Sequence, residues 1–288
     1  MKKIVLGILT VAVLLLSFTG CGKSDVINIT HKNYTEQRLL GQMMSVYLES
    51  KGYNTNVTEL GGTMLCYNAL KNGNVDLYAE YTGSAYGAIY DQTENLETEA
   101  LFQEVKTLAI ADGITWLNPF GFNNTYSLCV TEATAENIES ISDLAAYSSD
   151  FKLAADIEFL NRQDGIIGLK EAYPTLAFSE EISMDQGLTY GVLKDGEVDV
   201  ISSFSTDGRI EKFNLVNLID DQNFFLPYYV TPTLRTDYAE ANPELVTALE
   251  ELGDSWTDIE MQGYNLQVDE GAKTIDVATQ MLEDKGLI

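Results

Sequence analysis

Residues 75–90, VDLYAEYTGSAYGAIY, hold four tyrosines in sixteen positions directly after a run that reads as a strand. A tyrosine ring offers an electron-rich face to a positive charge and a hydroxyl that can hold the ring in place. Tyr78 lies inside the strand pattern and reads as core, and Tyr86 and Tyr90, four apart, read as helix packing. That leaves Tyr81, at the strand end, as the ring placed for chemistry. Its counterpart is found by repetition: LKNGNVDLY at 70–78 recurs as LKDGEVDVI at 193–201, an offset of 123 residues. The same offset carries Tyr81, Thr82, Gly83 and Ser84 onto Phe204, Ser205, Thr206 and Asp207. In open α/β sheets ligands sit outside the carboxyl ends of the strands, so two such clusters would face one another across a cleft. Paired rings with few cations nearby suit a positively charged guest. A quaternary ammonium suits them best, because it has methyl groups in place of N–H donors, and each desolvated ring contributes roughly 0.5–2 kcal/mol to holding it.

Other chemistry has little to work with. His31 is the one histidine, so a Ser-His-Asp triad or a zinc cluster would have to form around it. The chain carries no GxSxG, HExxH, P-loop or GxGxxG pattern. A hydrolase of choline-like esters, with Ser84 or Ser205 as nucleophile, stands as the enzymatic alternative and requires His31 beside that serine. Cys66 and Cys129 lack metal-ligand spacing and read as buried thiols. No metal, cofactor or catalysis is expected. The net charge of −27 argues against nucleic acid as a partner, since phosphate backbones are repelled.

The elements that must position these residues alternate between strand and helix. VINIT and NTNVTEL read as strands, TEQRLLGQMMSVYLESKG and MLCYNALKNG as helices; FKLAAD and EVDVISSF read as strands, DGIIGLKEAY and MDQGLTYGVLKDG as helices. NPELVTALEELGDSW and DVATQMLEDKG read as helices that pack back on the first unit. The expected fold is α/β with mostly parallel sheets in two lobes: residues 27–125 with 228–288, and residues 126–227. Short crossovers near Asn123–Tyr126 and Pro227–Tyr229 would join them. Residues 1–20 read as a leader, MKK followed by an apolar run that ends in SFTGC. This resembles a bacterial lipobox, with Phe18 where Leu is usual. It implies lipidation of Cys21, a tether at 21–26, and an anchor on the extracytoplasmic face of the cell membrane. Loss of Lys2 and Lys3 with the leader would make the chain two units more negative.

HKNYTEQRLLGQMMSVYLESKGY, ELGGTMLCYNALKNGNVDLYAEYTGSA, NNTYSLCV, EFLNRQDGIIGLKEAY and SFSTDGRI resemble the substrate-binding proteins of ABC importers for glycine betaine, choline and carnitine, from about residue 27 to the end. The resemblance implies a two-lobed type II periplasmic-binding fold. It also implies an ABC permease as partner, a monomer, a place in osmoprotection, and a quaternary ammonium ligand in an aromatic cage of Tyr81, Tyr126, Phe204 and Tyr228. Phe204 departs from the tyrosine usual in YSTDG, keeping the ring face and losing a hydroxyl. At the return crossover Tyr229 is the alternative to Tyr228. Lys32, Ser84 and Arg162 match positions that meet a ligand's carboxylate or polar tail in some members, and Glu158, four before Arg162, is placed to pair with it and orient it. Gly61, Gly62 and Thr63 open a helix whose N–H groups suit an anion. Related betaines such as ergothioneine fall in the same family. The rival within this fold is an ordinary amino acid or other anionic solute held by Arg162 and Lys32.

Overall fold

A computed structural model describes residues 26–288, so the leader, Cys21 and most of the tether lie outside the described residues. The first sheet takes β1 (Ile27–Lys32), β2 (Thr55–Gly61), β3 (Leu77–Tyr81) and β4 (Ile114–Trp116). The second takes β5 (Tyr126–Thr131), β6 (Lys152–Ala155), β7 (Glu180–Ser183), β8 (Val200–Phe204) and β9 (Leu215–Asn217). The chain then returns as β10 (Val230–Arg235) to complete the first sheet. The strand orders are β2-β1-β3-β10-β4 and β7-β6-β8-β5-β9. In each sheet one strand, β10 or β5, runs antiparallel to both neighbours, and the others share a direction. The reversed strand is in both cases the one that has just crossed from the other lobe.

The repeat explains why the two halves match. The helix Thr63–Lys71 and strand β3 have as counterparts, 123 residues on, the helix Gln186–Lys194 and strand β8. Both helices end at a glycine in the left-handed region, Gly73 and Gly196, each with φ 74°. In each, two amides past the helix end turn back to its last free carbonyls: Gly73 to Leu70 and Asn74 to Ala69, Gly196 to Leu193 and Glu197 to Val192. The hydroxyls after the strands are mirrored as well. Thr82 Oγ1 donates to the Pro227 carbonyl at 2.8 Å and Ser205 Oγ to that of Asn123 at 3.0 Å, so each strand end is tied to a crossover. The crossovers also bond to one another, Asn124 N to the Tyr228 carbonyl at 3.0 Å, which holds the two connections side by side.

The C-terminal helices Asp258–Asp269 and Thr274–Asp284 pack on the helix Thr35–Ser50 of the first lobe. Asp258–Asp269 also reaches the second lobe. Gln262 Nε2 donates to the Ser205 carbonyl at 2.8 Å, and Asn265 Nδ2 to that of Thr206 at 3.1 Å. Cys66 and Cys129 are free and buried, one in each lobe. Burial pushes both thiols up to about 12. Among the described residues no helix is long and apolar enough to cross a membrane.

Candidate functional site

Strand ends and crossovers from both lobes converge on a cavity of about 510 Å³. All eight residues singled out in the sequence line it: Tyr81, Tyr126, Phe204, Tyr228, Lys32, Ser84, Arg162 and Glu158. Tyr228, not Tyr229, is the crossover ring that faces it. Tyr78 and Tyr86 are buried elsewhere, and Tyr90 meets Tyr67 edge-on; Tyr86 lies on a π-helical turn, Ala85–Ile89, and not on the α-helix its spacing suggests.

A fifth ring joins the set. Tyr34, in the loop that follows β1, stacks on Phe204 of the second lobe at 5.4 Å between centroids and on Tyr81 of its own lobe at 6.4 Å. Tyr126 continues the row, 4.9 Å from Phe204 and 5.5 Å from Tyr228. Five rings thus form an unbroken wall with contributions from both lobes and the crossovers. The rule that points to Tyr81 also covers Tyr34, since β1 ends at the same edge of the sheet; of this strand end the sequence singles out only Lys32, the last residue of β1.

The rings are fixed from behind by polar partners. Tyr81 Oη donates to Glu36 Oε1 at 2.7 Å, and Tyr228 Oη to Asp164 Oδ2 at 2.7 Å. Gly83 makes room for the Tyr228 ring: a Cβ there would lie 2.5 Å from Cε2. Glu36 is buried and accepts three more bonds, from Asn124 Nδ2 at 2.7 Å, Thr206 Oγ1 at 2.6 Å and Asn265 Nδ2 at 3.0 Å. Burial raises its carboxyl above the ordinary glutamate value, and the four donors, Thr206 foremost, pull against that rise. One carboxylate therefore binds the first lobe, a crossover and the second lobe together.

The charged residues are committed to partners within the protein. Lys32 Nζ sits 2.6 Å from Glu80 Oε1, both side chains buried, and over the Tyr81 ring at 5.2 Å. The expected pair of Arg162 and Glu158 forms at 3.0 Å, although Arg162 lies just beyond the helix Ile157–Asn161 with an extended backbone. Arg162 also makes a two-pronged pair with Asp164. The helix start at Gly62 and Thr63 holds an anion of the protein's own: Glu158 from the second lobe accepts from Thr63 N at 2.9 Å, and a Cβ on Gly62 would overlap its carboxylate. Burial alone would raise the Glu158 carboxyl, but Lys32, Arg162 and Thr63 outweigh it and leave it below its ordinary value. Lys32 and Arg162 thus meet the cavity already neutralised, beside the carboxylates of Asp156, Glu158 and Asp185.

The geometry a hydrolase needs is not formed. His31 packs against Gly41 of the helix Thr35–Ser50, its Nδ1 lies 2.8 Å from the Lys32 carbonyl oxygen, and it is not among the cavity residues. Ser205 lies on a crossover bond.

Three comparisons bear on this arrangement. Residues 25–284 match the family described as the substrate binding domain of ABC-type glycine betaine transport systems. The chain is 33% identical to a glycine-betaine-binding protein of Pseudomonas aeruginosa, over 93% of this chain and 91% of that one. It is also 33% identical to the ergothioneine transport permease/ergothioneine binding protein EgtU of Helicobacter pylori, over 90% of this chain and 47% of that longer protein. A crystal structure of a glycine betaine/carnitine/choline ABC transporter superposes with a TM-score of 0.75 at 28% identity, over 91% of this chain and 99% of that one. That superposition covers both lobes of this chain.

Proposed function

The chain belongs to the substrate-binding domains of ABC-type glycine betaine transport systems, and on that premise we propose that it captures a quaternary ammonium compound in the five-ring cavity and hands it to a membrane permease. It is a substrate-binding protein of a betaine- and carnitine-type importer, a class of transport proteins and not of enzymes. The observation that carries the ligand reading is the row of rings from Tyr34 and Tyr81 through Phe204 and Tyr126 to Tyr228 on one cavity between the lobes. A quaternary ammonium has no N–H to donate, so ring faces, methyl contacts and the charge of nearby carboxylates hold it, and several rings at roughly 0.5–2 kcal/mol each offset its weak hydration. Because the rings come from both lobes, the full wall exists only when the lobes meet, which couples binding to closure.

The leader and SFTGC support delivery from the extracytoplasmic face by a protein anchored through a lipid on Cys21. Ergothioneine, itself a trimethylated ammonium, is a second ligand reading, and the likeness to the Helicobacter pylori protein favours it. Calorimetric titration with glycine betaine, choline, carnitine and ergothioneine tests the cage. At least one should bind, Tyr126→Ala should weaken it more than tenfold, and Phe204→Tyr should preserve or improve it. An ordinary amino acid that displaces the bound compound, or an alanine variant with unchanged affinity, refutes the assignment.

A further inference from the structure

Asp156 lines the cavity and has no part in the wall of rings. It stands at the N-cap of the helix Ile157–Asn161, where Oδ1 accepts from Glu158 N at 2.8 Å and Phe159 N at 3.1 Å. Its second oxygen, Oδ2, is buried and has no hydrogen-bond partner among the described residues. A buried carboxylate oxygen left without a donor is costly, and at the wall of a cavity a donor on a bound molecule would remove that cost. The neighbouring cations are already paired, Arg162 with Asp164 and Glu158 and Lys32 with Glu80. Burial pushes the Asp156 carboxyl up from its ordinary value, and the capping amides recover only part of that. The cavity, at about 510 Å³, lies in the range that encloses drug-sized molecules, so a methylated ammonium head against the rings leaves space for a second group.

We propose that Asp156 Oδ2 is the acceptor for an O–H or N–H donor carried by the ligand at a distance from its methylated ammonium, which makes Asp156 a specificity-determining residue. This rests on the reading of the cavity as an ammonium cage. Under it the rings bind the head and are indifferent to the tail, and Asp156 selects tails that donate. Glycine betaine, which has no donor, leaves Oδ2 as bare as it is in the empty protein. Choline and carnitine donate a hydroxyl, and ergothioneine donates ring N–H groups.

Matched pairs isolate this contact: choline against ethyltrimethylammonium, and carnitine against γ-butyrobetaine, each pair differing by one hydroxyl. In titrations of the mature protein, the hydroxylated member of whichever pair binds should bind at least about tenfold more tightly, as a hydrogen bond to a charged group provides. Asp156→Asn keeps an N-cap oxygen for Glu158 and Phe159 and puts a donor N–H₂ in place of the acceptor Oδ2, so it should bring the ratio to within about twofold. A ratio rather than a single affinity is read, which cancels any general loss of folded protein. Equal binding within the pairs, or a ratio unchanged in Asp156→Asn, overturns the role of Asp156 while the cage stands. Failure of every compound, glycine betaine included, overturns the cage and this inference together.

Discussion

At the scale of the residue, the rings and their hydroxyls have separable tasks. Tyr81 lines the cavity and donates from Oη to the buried Glu36 at 2.7 Å. Tyr81→Phe keeps the face and removes one of the four donors on that carboxylate. It should lower stability by about 1–3 kcal/mol, the cost of an unsatisfied buried acceptor, and leave ligand affinity within about threefold. Tyr81→Ala removes the face and should weaken binding well over tenfold; chemical unfolding beside calorimetry reads both effects. The thiols give a second residue-scale expectation. With both pushed up to about 12, both thiols are protonated at pH 8, and both are buried. Cys66 and Cys129 should therefore resist a thiol reagent at pH 8 in the native protein and react at once in denaturant, whereas prompt labelling of the folded chain would place a thiol at the surface.

At the scale of the element, the turn Thr82–Ser84 sets one ring of the cavity wall. Gly83 carries no Cβ because the Tyr228 ring occupies that space, 2.5 Å to Cε2 and 2.7 Å to Cζ. The ring is rigid and held by its bond to Asp164, so Gly83→Ala cannot be absorbed by a flexible side chain. Ligand affinity should fall more than tenfold although no ring atom is lost, and Gly196→Ala, far from the cavity at the matching helix end, should cost about 1 kcal/mol of stability with binding intact. Elements of this kind were legible where the pattern was local. The repeat located both helix ends, both left-handed glycines and both strand ends, because a Schellman turn and a buried strand are written in adjacent residues. The helix Asp258–Asp269 was missed. Its buried positions Met261, Tyr264 and Asn265 include an amide, which blurs the apolar stripe, although the capping box of Thr257 and Glu260 marks its start. Tyr34 and Asp156 were passed over because their roles arise from partners distant in sequence, Phe204 for one and the absence of a donor for the other. The reversed strands β5 and β10 share the apolar look of their neighbours, since direction is decided by the crossovers and not by composition.

At the scale of the whole molecule, the lobes are joined by bonds of the chain itself. Thr206 of the second lobe donates to Glu36 of the first at 2.6 Å, Asn265 donates to the Thr206 carbonyl, Arg209 lies 3.2 Å from Asp269, and Lys212 lies 3.0 Å from Glu270. The exposed pair of Lys212 and Glu270 is worth little in water, so the attachment rests on the buried Glu36 cluster and the largely buried pair of Arg209 and Asp269. Thr206→Val keeps the shape and leaves the carboxylate one donor short, a penalty of about 1–3 kcal/mol that falls on the closed arrangement alone. Under the proposed cage, which closure completes, the penalty should appear as a loss of about tenfold in ligand affinity, with little change in the melting temperature of the ligand-free protein; a contact that merely packs would reverse those two effects. Its dependence on pH follows from the raised carboxyl of Glu36. A carboxyl whose folded value lies above its unfolded one adds stability below the ordinary glutamate value, and that stability is lost as pH rises through the folded value. Thr206 is the strongest of the bonds that lower it, so its removal raises the folded value further. The deficit of Thr206→Val in the ligand-bound protein should therefore be small at low pH, where a protonated Glu36 needs fewer donors, and grow toward neutrality. Affinities of both proteins across that range measure it, and a deficit that does not change with pH would show that Glu36 is not the group through which Thr206 holds the lobes together.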